Sequence, residues 1–212
     1  MALWSAWNPD VLPKVAGCPQ LLIEHELKRA AQEFFEETFA WKVLTPAVSV
    51  LADDEEILVA PSDPEQELVR IEQAWYDGQA ISPKTIEELD AQFADDWKTH
   101  TGTPGHYIEV TPGTVRLYPI PTTDAVSGLA CRISVRPSDS ATGIPDAYRT
   151  KYRKALSDGA LGALLLYPSA AWSAADHASL YRGAFESAKN KAGVDSAQSF
   201  GKARISARPK WC

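Results

Sequence analysis

The first clear pattern of hydrophobic and polar positions lies between Pro19 and Phe39. Charged and amide side chains alternate there with apolar ones at helical spacing, and the apolar ones are Ile23, Leu27, Ala30, Ala31 and Phe34. This spacing predicts an amphipathic helix that buries one face. Pro19 suits the first turn, where the missing N–H has no partner to lose.

The pattern changes at Trp41 to short apolar runs separated by proline, glycine or acidic residues. Such runs predict strands, and the turn dipeptide Asp77-Gly78 predicts that AWYDGQAI is a β-hairpin. Ser82-Pro83 is predicted to open a short second helix, with the serine as N-cap. The apolar stripe of that helix is Ile86, Leu89, Phe93 and Trp97. Because strand patterns flank the helix on both sides, residues 41–137 are predicted to form a β-rich insertion.

The last third of the chain is again helical in pattern. One helix is predicted over residues 144–167 and another over residues 173–191. The second half of the first helix is apolar on nearly all sides, which indicates burial. Gly159 and Gly162 in it indicate the close approach of another helix. The final stretch, GKARISARPKWC, has no helical period and predicts an extended arm.

Together these elements predict an α+β protein. An α-helical bundle, made of the N-terminal helix and two C-terminal helices, is expected over residues 18–40 and 138–195. The bundle carries the inserted β-rich domain, expected to be sandwich-like or barrel-like, over residues 41–137. An extended C-terminal arm is expected over residues 196–212.

Composition narrows the class of protein. The 212 residues are 45% hydrophobic and 23% charged, which is typical of a globular chain. No run approaches the roughly 20 apolar residues of a membrane span, and the first ten residues lack the features of a signal peptide, so no membrane partner is expected. Cys18, Cys131 and Cys212 are too scattered for a disulfide framework or a zinc site, and the first two are expected to be buried.

The formal net charge is −7, and basic residues concentrate late in the chain, from Arg149 to Lys210. Two interpretations stay open. The charge is typical of an ordinary soluble acidic protein, and it also suits a surface that repels the phosphate backbone of nucleic acid.

No set of residues predicts covalent or metal chemistry. His25-Glu26 resembles the start of a zinc-protease motif, but Arg29 stands where the second histidine would be needed. Asp176, His177 and Ser179 are triad residue types, yet neighbours on one helical turn point in different directions. The prediction is therefore no catalytic residue, no metal ligand and no cofactor.

Acidic residues cluster in three places, and paired carboxylates are the groups that glycosidases use. The clusters are Asp53-Asp54-Glu55-Glu56, Glu87-Glu88-Asp90 and Asp95-Asp96. Solvated turns and helix faces are the more ordinary explanation of such runs.

The seven tryptophans fall into two groups. Four lie in or beside patterned elements and are predicted to be core residues, namely Trp41, Trp75, Trp97 and Trp172. Trp4, Trp7 and Trp211 lie in the unpatterned ends. Because exposed tryptophan anchors interfaces, these three are predicted to dock onto other subunits.

Four stretches resemble the head-to-tail adaptor family of tailed phages, also called tail tubular protein A or gatekeeper. They are FFEETFAWK, VRIEQAWYDGQAISPKTIEELD, WKTHTGTPGHYIEVTPGTVRLYPIP and VRPSDSATGIPDAYRTKYRKALSDGALGALLLYPSAAW. The third is the most specific, with tryptophan, a Gly-x-Pro turn, tyrosine and a strand that ends in LYPIP. The resemblance spans residues 18–208.

The resemblance implies a helical bundle with a β-rich insertion and no catalytic residue or cofactor. It implies a homo-oligomeric ring, generally of twelve subunits, in the virion neck beneath the portal protein, after a period in the host cytoplasm during assembly. A tail tube, nozzle or stopper protein would bind the other face, and double-stranded DNA would pass through the lumen without sequence-specific binding.

The predicted arm is suited to lie across a neighbouring protein and to become ordered on binding. Its candidate portal or subunit contacts are Phe200, Arg204, Ile205, Arg208 and Trp211. Two alternatives to the adaptor remain. One is another virion component, such as a tail-completion, tail-terminator or baseplate protein, and the other is a carbohydrate-acting or carbohydrate-binding β-rich protein.

Overall fold

The computed structural model describes residues 1–198, apart from the side chains of Ala94 and Asp95. The predicted α+β class is confirmed. The α-helices of the described part are α1 (Asn8–Val11), α2 (Gln20–Thr38), α3 (Ile86–Phe93), α4 (Asp146–Leu164) and α5 (Ala175–Ala197).

The strands of the described part are short except for two. They are β1 (Ala2–Leu3), β2 (Lys42–Leu44), β3 (Val48–Val50), β4 (Glu56–Leu58), β5 (Gln66–Tyr76), β6 (Gln79–Pro83), β7 (Thr101–Gly102), β8 (His106–Thr111), β9 (Thr114–Tyr118), β10 (Ile120–Pro121), β11 (Ala125–Pro137) and β12 (Gly143–Ile144).

The chain divides into two compact units. The helical unit consists of Met1–Trp41 and the described chain from Pro137 onward, and the β-rich unit consists of Lys42–Arg136. The β-rich unit is thus inserted between α2 and α4 of the helical unit.

The core of the helical unit is built by α2, α4 and α5. The predicted helix is present as α2, but Pro19 is its N-cap and not a residue of its first turn. The helix ends where Phe39 adopts a left-handed conformation with φ 51°. Gly159 of α4 shows the predicted close approach, because a Cβ atom there would lie 2.9 Å from the ring of Phe185 on α5. The helices therefore pack closely at this glycine.

An aromatic cluster fills the space between α2 and α4. The ring centroids of Phe34 and Tyr152 lie 4.8 Å apart, and those of Phe35 and Trp41 lie 5.3 Å apart. Tyr148 packs edge-on against Phe35 at 5.6 Å. Such pairs add about 0.5–1.5 kcal/mol each beyond the burial of their area.

The N-terminal tryptophans belong to this same unit, so the prediction that they dock onto other subunits was wrong for Trp4 and Trp7. Both are buried, and Trp7 is 0% exposed. The indole N–H of Trp4 donates to the carbonyl of Ala141 at 2.8 Å, and that of Trp7 donates to the carbonyl of Arg153 at 3.3 Å. The partners lie far along the chain, which is why the local pattern gave no sign of burial.

The β-rich unit is organised around a curled, half-barrel-like sheet of eight strands. Its order is β2-β11-β5-β6-β8-β9-β4, and β3 also pairs with β11. The predicted hairpin at Asp77-Gly78 is confirmed, since both residues have positive φ (45° and 76°) and β5 pairs with β6. Pro112 and Gly113 join β8 to β9, which pair antiparallel.

The first and last strands of the β-rich unit are neighbours in this sheet. Strand β2 pairs antiparallel with β11, and Lys42 lies opposite Ser134. The chain therefore enters and leaves the unit at adjacent positions.

The predicted start of the short helix was wrong. Ser82 and Pro83 end strand β6, where they pair with His106 and Tyr107 of β8. The helix is instead preceded by a reciprocal cap, in which the N–H of Thr85 donates to Glu88 Oε2 at 3.0 Å and the N–H of Glu88 donates to Thr85 Oγ1 at 3.2 Å. The helix is capped by this Thr-x-x-Glu capping box and not by Ser82, because Ser82 is paired with β8 in the sheet.

Among residues 1–198, no helix combines the length and the apolar character that crossing a membrane requires.

Candidate functional site

The predicted interface residues of the arm lie outside the described residues. Phe200, Arg204, Ile205, Arg208 and Trp211 all follow the last described position, Gln198. What the structure does describe is α5, the helix that precedes them. This helix is longer than predicted, because it continues to Ala197.

Helix α5 is held on the helical unit up to its last turn. The hydroxyl of Ser196 donates to the carbonyl of Phe39 at 2.7 Å, and Phe185 and Ala192 are buried. The segment that carries the candidate residues therefore follows an element that is fixed to the core.

A buried lysine adds charge to this attachment. Lys189 of α5 is 5% exposed, and its Nζ lies 2.6 Å from Glu33 Oε1, 2.8 Å from Glu37 Oε2 and 2.9 Å from Glu186 Oε1. Burial alone would lower the pKa of Lys189, but the hydrogen bonds that its ammonium donates to the three carboxylates outweigh burial, so the pKa is raised. Lys189 thus stays charged and joins α5 to α2.

A second feature of α5 is a groove of about 350 Å³ between it and α4. We call it the lysine groove. Its lining consists of Lys151, Tyr152, Lys154, Ala155, Asp158, Ala184, Ala188, Lys191, Ala192 and Asp195. Four alanines make it shallow and apolar, and three lysines lie along it.

All three lysines of the groove are exposed, and Lys151 and Lys154 are in ion pairs. Lys154 Nζ lies 3.0 Å from Asp158 Oδ2, and Lys151 Nζ lies 4.0 Å from Asp195 Oδ2. The side chain of Lys154 is 87% exposed while that of Asp158 is 7% exposed. With Asp158 and Asp195 in its lining, the groove has a formal charge of +1, and its most exposed charge is the ammonium of Lys154.

Tyr152, which lines this groove, has an unusual hydroxyl. The residue is 7% exposed, and its buried hydroxyl has no hydrogen-bond partner among the described residues. Burial, followed by the nearby charges of Asp195 and Tyr148, raises the pKa of Tyr152 to about 12. The phenol is thus protonated at neutral pH and able to donate a hydrogen bond.

The β-rich unit has an aromatic groove of about 420 Å³ beside α3. Phe93, Trp97 and Tyr118 line it together with His100, whose Nδ1 lies 3.3 Å from the hydroxyl of Tyr118. Trp97 and Tyr118 are also core residues of this unit. The groove is thus in part the outer side of the packing between α3 and the sheet.

The acidic residues near this groove have structural partners. Glu88 belongs to the capping box of α3, and Asp90 Oδ1 accepts a hydrogen bond from the indole of Trp97 at 2.7 Å. The side chain of Asp95 is not described. Glu88 and Asp90, two of the carboxylates considered for glycosidase chemistry, are therefore engaged by local partners.

The triad residue types on α5 do not form a relay. The hydroxyl of Ser179 donates to the backbone carbonyl of Asp176 at 2.8 Å, and His177 is exposed, as is His25 on α2. Within the described part of the chain, no three His, Cys, Asp or Glu side chains are grouped so that they could hold a metal ion. Cys18 and Cys131 are buried, as predicted, and burial raises the pKa of both thiols.

Formal charge is divided unevenly between the two units. The β-rich unit, Lys42–Arg136, has seven basic and sixteen acidic residues, a net charge of −9. Residues 199–212 have four basic residues and no acidic one. The sequence analysis found the late basic residues but missed the lysine groove, whose only sequence signal is the helical spacing of Lys151, Lys154 and Asp158.

Comparison with known proteins gives one finding for the family. No curated protein matches the chain. The family model for SU10 adaptor protein matches residues 20–206, which is most of the sequence, and this confirms the resemblance of the four stretches described above. The chain therefore belongs to the SU10 adaptor protein family, a family of phage head-to-tail adaptors.

Proposed function

We propose that this phage adaptor forms a homo-oligomeric ring, of about twelve subunits, between the portal protein and the tail. The proposal is carried by the family match over residues 20–206. In the virion such a ring belongs to the neck, and the subunits assemble on the head in the host cytoplasm. A tail tube, nozzle or stopper protein binds the face opposite the portal.

The charge distribution supports a role as a DNA conduit. A net charge of −9 on the β-rich unit repels the phosphate backbone, and a repelling wall lets double-stranded DNA slide without sequence-specific binding. The basic residues 199–212 are attached directly after a fixed helix. We propose that this segment is the portal contact.

The experiment that tests the ring is electron microscopy of the protein mixed with its own portal protein. A closed ring beneath the portal is the expected image. A subunit that remains monomeric in the presence of portal would overturn the proposal.

Deleting the chain from Lys202 onward tests the portal contact. The truncated subunit should stay folded, because the cut lies after Gln198, whose N–H donates to the carbonyl of Val194 at the end of α5, and after Ser196, the last buried side chain described. It should fail to attach to heads that carry the portal. A chain that lacks only Cys212 is the matched control and should attach normally. Normal attachment of the truncated chain would show that the contact lies elsewhere.

We also propose that the protein acts without catalysis. The carboxylates Glu88 and Asp90 support this, since each is bonded to a structural partner. Incubation with a panel of polysaccharides should give no hydrolysis. Hydrolysis that disappears in Glu87→Gln with Asp95→Asn would instead favour the carbohydrate-acting alternative.

A further inference from the structure

We infer that the lysine groove between α4 and α5 is a ring contact, and that it binds the acidic β-rich unit of a second copy of this chain. The inference rests on the proposed ring and adds the surfaces through which its subunits meet. The groove is on the helical unit, and its proposed occupant is on the other unit of the neighbouring chain.

The shape of the groove suits a protein segment. Its floor is formed by small side chains from two helices, Ala155 of α4 with Ala184, Ala188 and Ala192 of α5. Small residues on a helix pair leave space for side chains of a third element to pack between them. A volume of about 350 Å³ is sufficient for one or two such side chains.

The charge of the groove indicates which part of a neighbouring chain binds there. Lys151, Lys154 and Lys191 outnumber the two aspartates of the lining, Asp158 and Asp195, so the groove has a formal charge of +1. Asp158, the partner of Lys154, is largely buried, whereas Asp195 is about as exposed as Lys151. An acidic surface is therefore attracted to the groove. The β-rich unit, with its net charge of −9, is the acidic part of the chain, whereas the described part of the helical unit has ten basic and twelve acidic residues.

The unpartnered hydroxyl of Tyr152 is the second observation that indicates a ligand at this position. A buried polar group without a hydrogen bond costs roughly 1–3 kcal/mol, and such groups are uncommon in proteins. The protonated phenol can donate one hydrogen bond and can also accept one. A carboxylate of Asp or Glu from an incoming chain is an acceptor for it once the side chains that cover the hydroxyl move on binding.

The symmetry of a ring requires two different surfaces on each subunit. In a closed ring of identical chains, one surface of each subunit contacts another surface of the next. A basic groove on one unit and an acidic surface on the other meet this requirement. Two acidic surfaces would repel, and the basic segment 199–212 is likewise repelled by the lysines of the groove.

Zero-length carbodiimide cross-linking of the assembled ring tests the contact, because it joins a lysine only to a carboxylate in direct contact. Rings are assembled on the portal from a mixture of unlabelled and isotopically labelled full-length chains, and linked peptides are identified by mass spectrometry. Mixed-isotope links should join Lys151, Lys154 or Lys191 to acidic residues within 42–136. Links from these lysines only to the portal protein, or only within one chain, would refute the inference.

Charge reversal provides the matched functional test. The triple variant Lys151→Glu, Lys154→Glu, Lys191→Glu should lower the association constant between subunits by about tenfold or more at low salt. Arg182→Glu, on α5 but in a different groove, is the control and should have little effect. Changing the cross-linked acidic residue to lysine should restore association of the triple variant, and thermal unfolding of each free subunit establishes that it is folded.

The outcomes separate this inference from the proposed function. If the triple variant forms normal rings, the inferred contact at the lysine groove is refuted, but the proposed ring is not. If the unaltered chain forms no ring on the portal, the proposed function itself fails. If nuclease treatment abolishes the attraction that the lysines mediate, the anion in the groove is DNA phosphate, and the inference is refuted.

Discussion

At the scale of single residues, Lys189 shows how one buried charge can join two helices. We predict that Lys189→Met lowers the free energy of unfolding by about 1–3 kcal/mol, because three carboxylates lose the cation that they share. Chemical denaturation of the purified subunit measures the loss. Lys191→Met, two residues further along the same helix and exposed, is the control and should cost little.

The pH dependence of that loss has a definite sign. Because the pKa of Lys189 is raised in the folded state, its contribution is complete below the ordinary lysine pKa of 10.5 and declines at higher pH. The difference between the unaltered protein and Lys189→Met should therefore be constant from pH 7 to about pH 10 and shrink above that. A difference that shrinks between pH 7 and pH 9 would contradict this account.

Two glycines in the helical unit should respond to alanine with opposite signs. Gly159→Ala places a methyl group 2.9 Å from the ring of Phe185, so a steric cost of about 1–3 kcal/mol exceeds the helix-propensity gain of about 1 kcal/mol. A Cβ atom at Gly183 would meet no neighbouring atom within 4 Å, so Gly183→Ala should stabilise α5 by about 0.5–1 kcal/mol. The change in melting temperature of each variant measures the effect. Equal changes in the two variants would show that the space around Gly159 can accommodate a methyl group.

At the scale of elements, the start of α3 gives a clear test of its cap. Thr85→Ala removes the acceptor for the N–H of Glu88 and should cost about 1 kcal/mol of stability. Ser82→Ala should stay within a few tenths, because Ser82 contributes only its backbone to the sheet. Denaturation midpoints distinguish the two, and a larger effect at Ser82 would restore the original prediction of the helix start.

The elements that the sequence predicted well are those with local signals. The apolar stripe of α2 and the turn at Asp77-Gly78 are complete within one element, so periodicity and turn chemistry sufficed. Trp4 and Trp7 escaped prediction because their hydrogen-bond acceptors, Ala141 and Arg153, lie more than 130 positions away. The lysine groove could not be predicted for the same reason, since Lys151 and Lys191 line one groove only when α4 packs on α5.

At the scale of the whole molecule, the helical unit should fold without its insertion. Its aromatic cluster, with Phe34, Phe35 and Tyr152, lies entirely within that unit. Since Lys42 lies opposite Ser134 in an antiparallel pair, where Cα atoms are about 5 Å apart, a short glycine–serine linker can replace residues 42–136.

We expect this shortened chain to show the circular dichroism of a helical protein and one cooperative thermal transition. Trp7→Ala in the same chain is the control, and it should lower the melting temperature sharply because Trp7 is fully buried in this unit. A gradual transition without near-ultraviolet signal would mean that the helical unit depends on the insertion for its packing.

The pairing of β2 with β11 also has a consequence for how such adaptors diversify. A unit whose first and last strands pair with each other can be lengthened, shortened or exchanged between viral lineages without rebuilding the helices, since its two chain ends stay adjacent. Homologous chains should therefore differ most in length inside the stretch that corresponds to residues 42–136. Alignment gaps that fall instead within α2 or α4 would argue that differences in length are not confined to the β-rich unit.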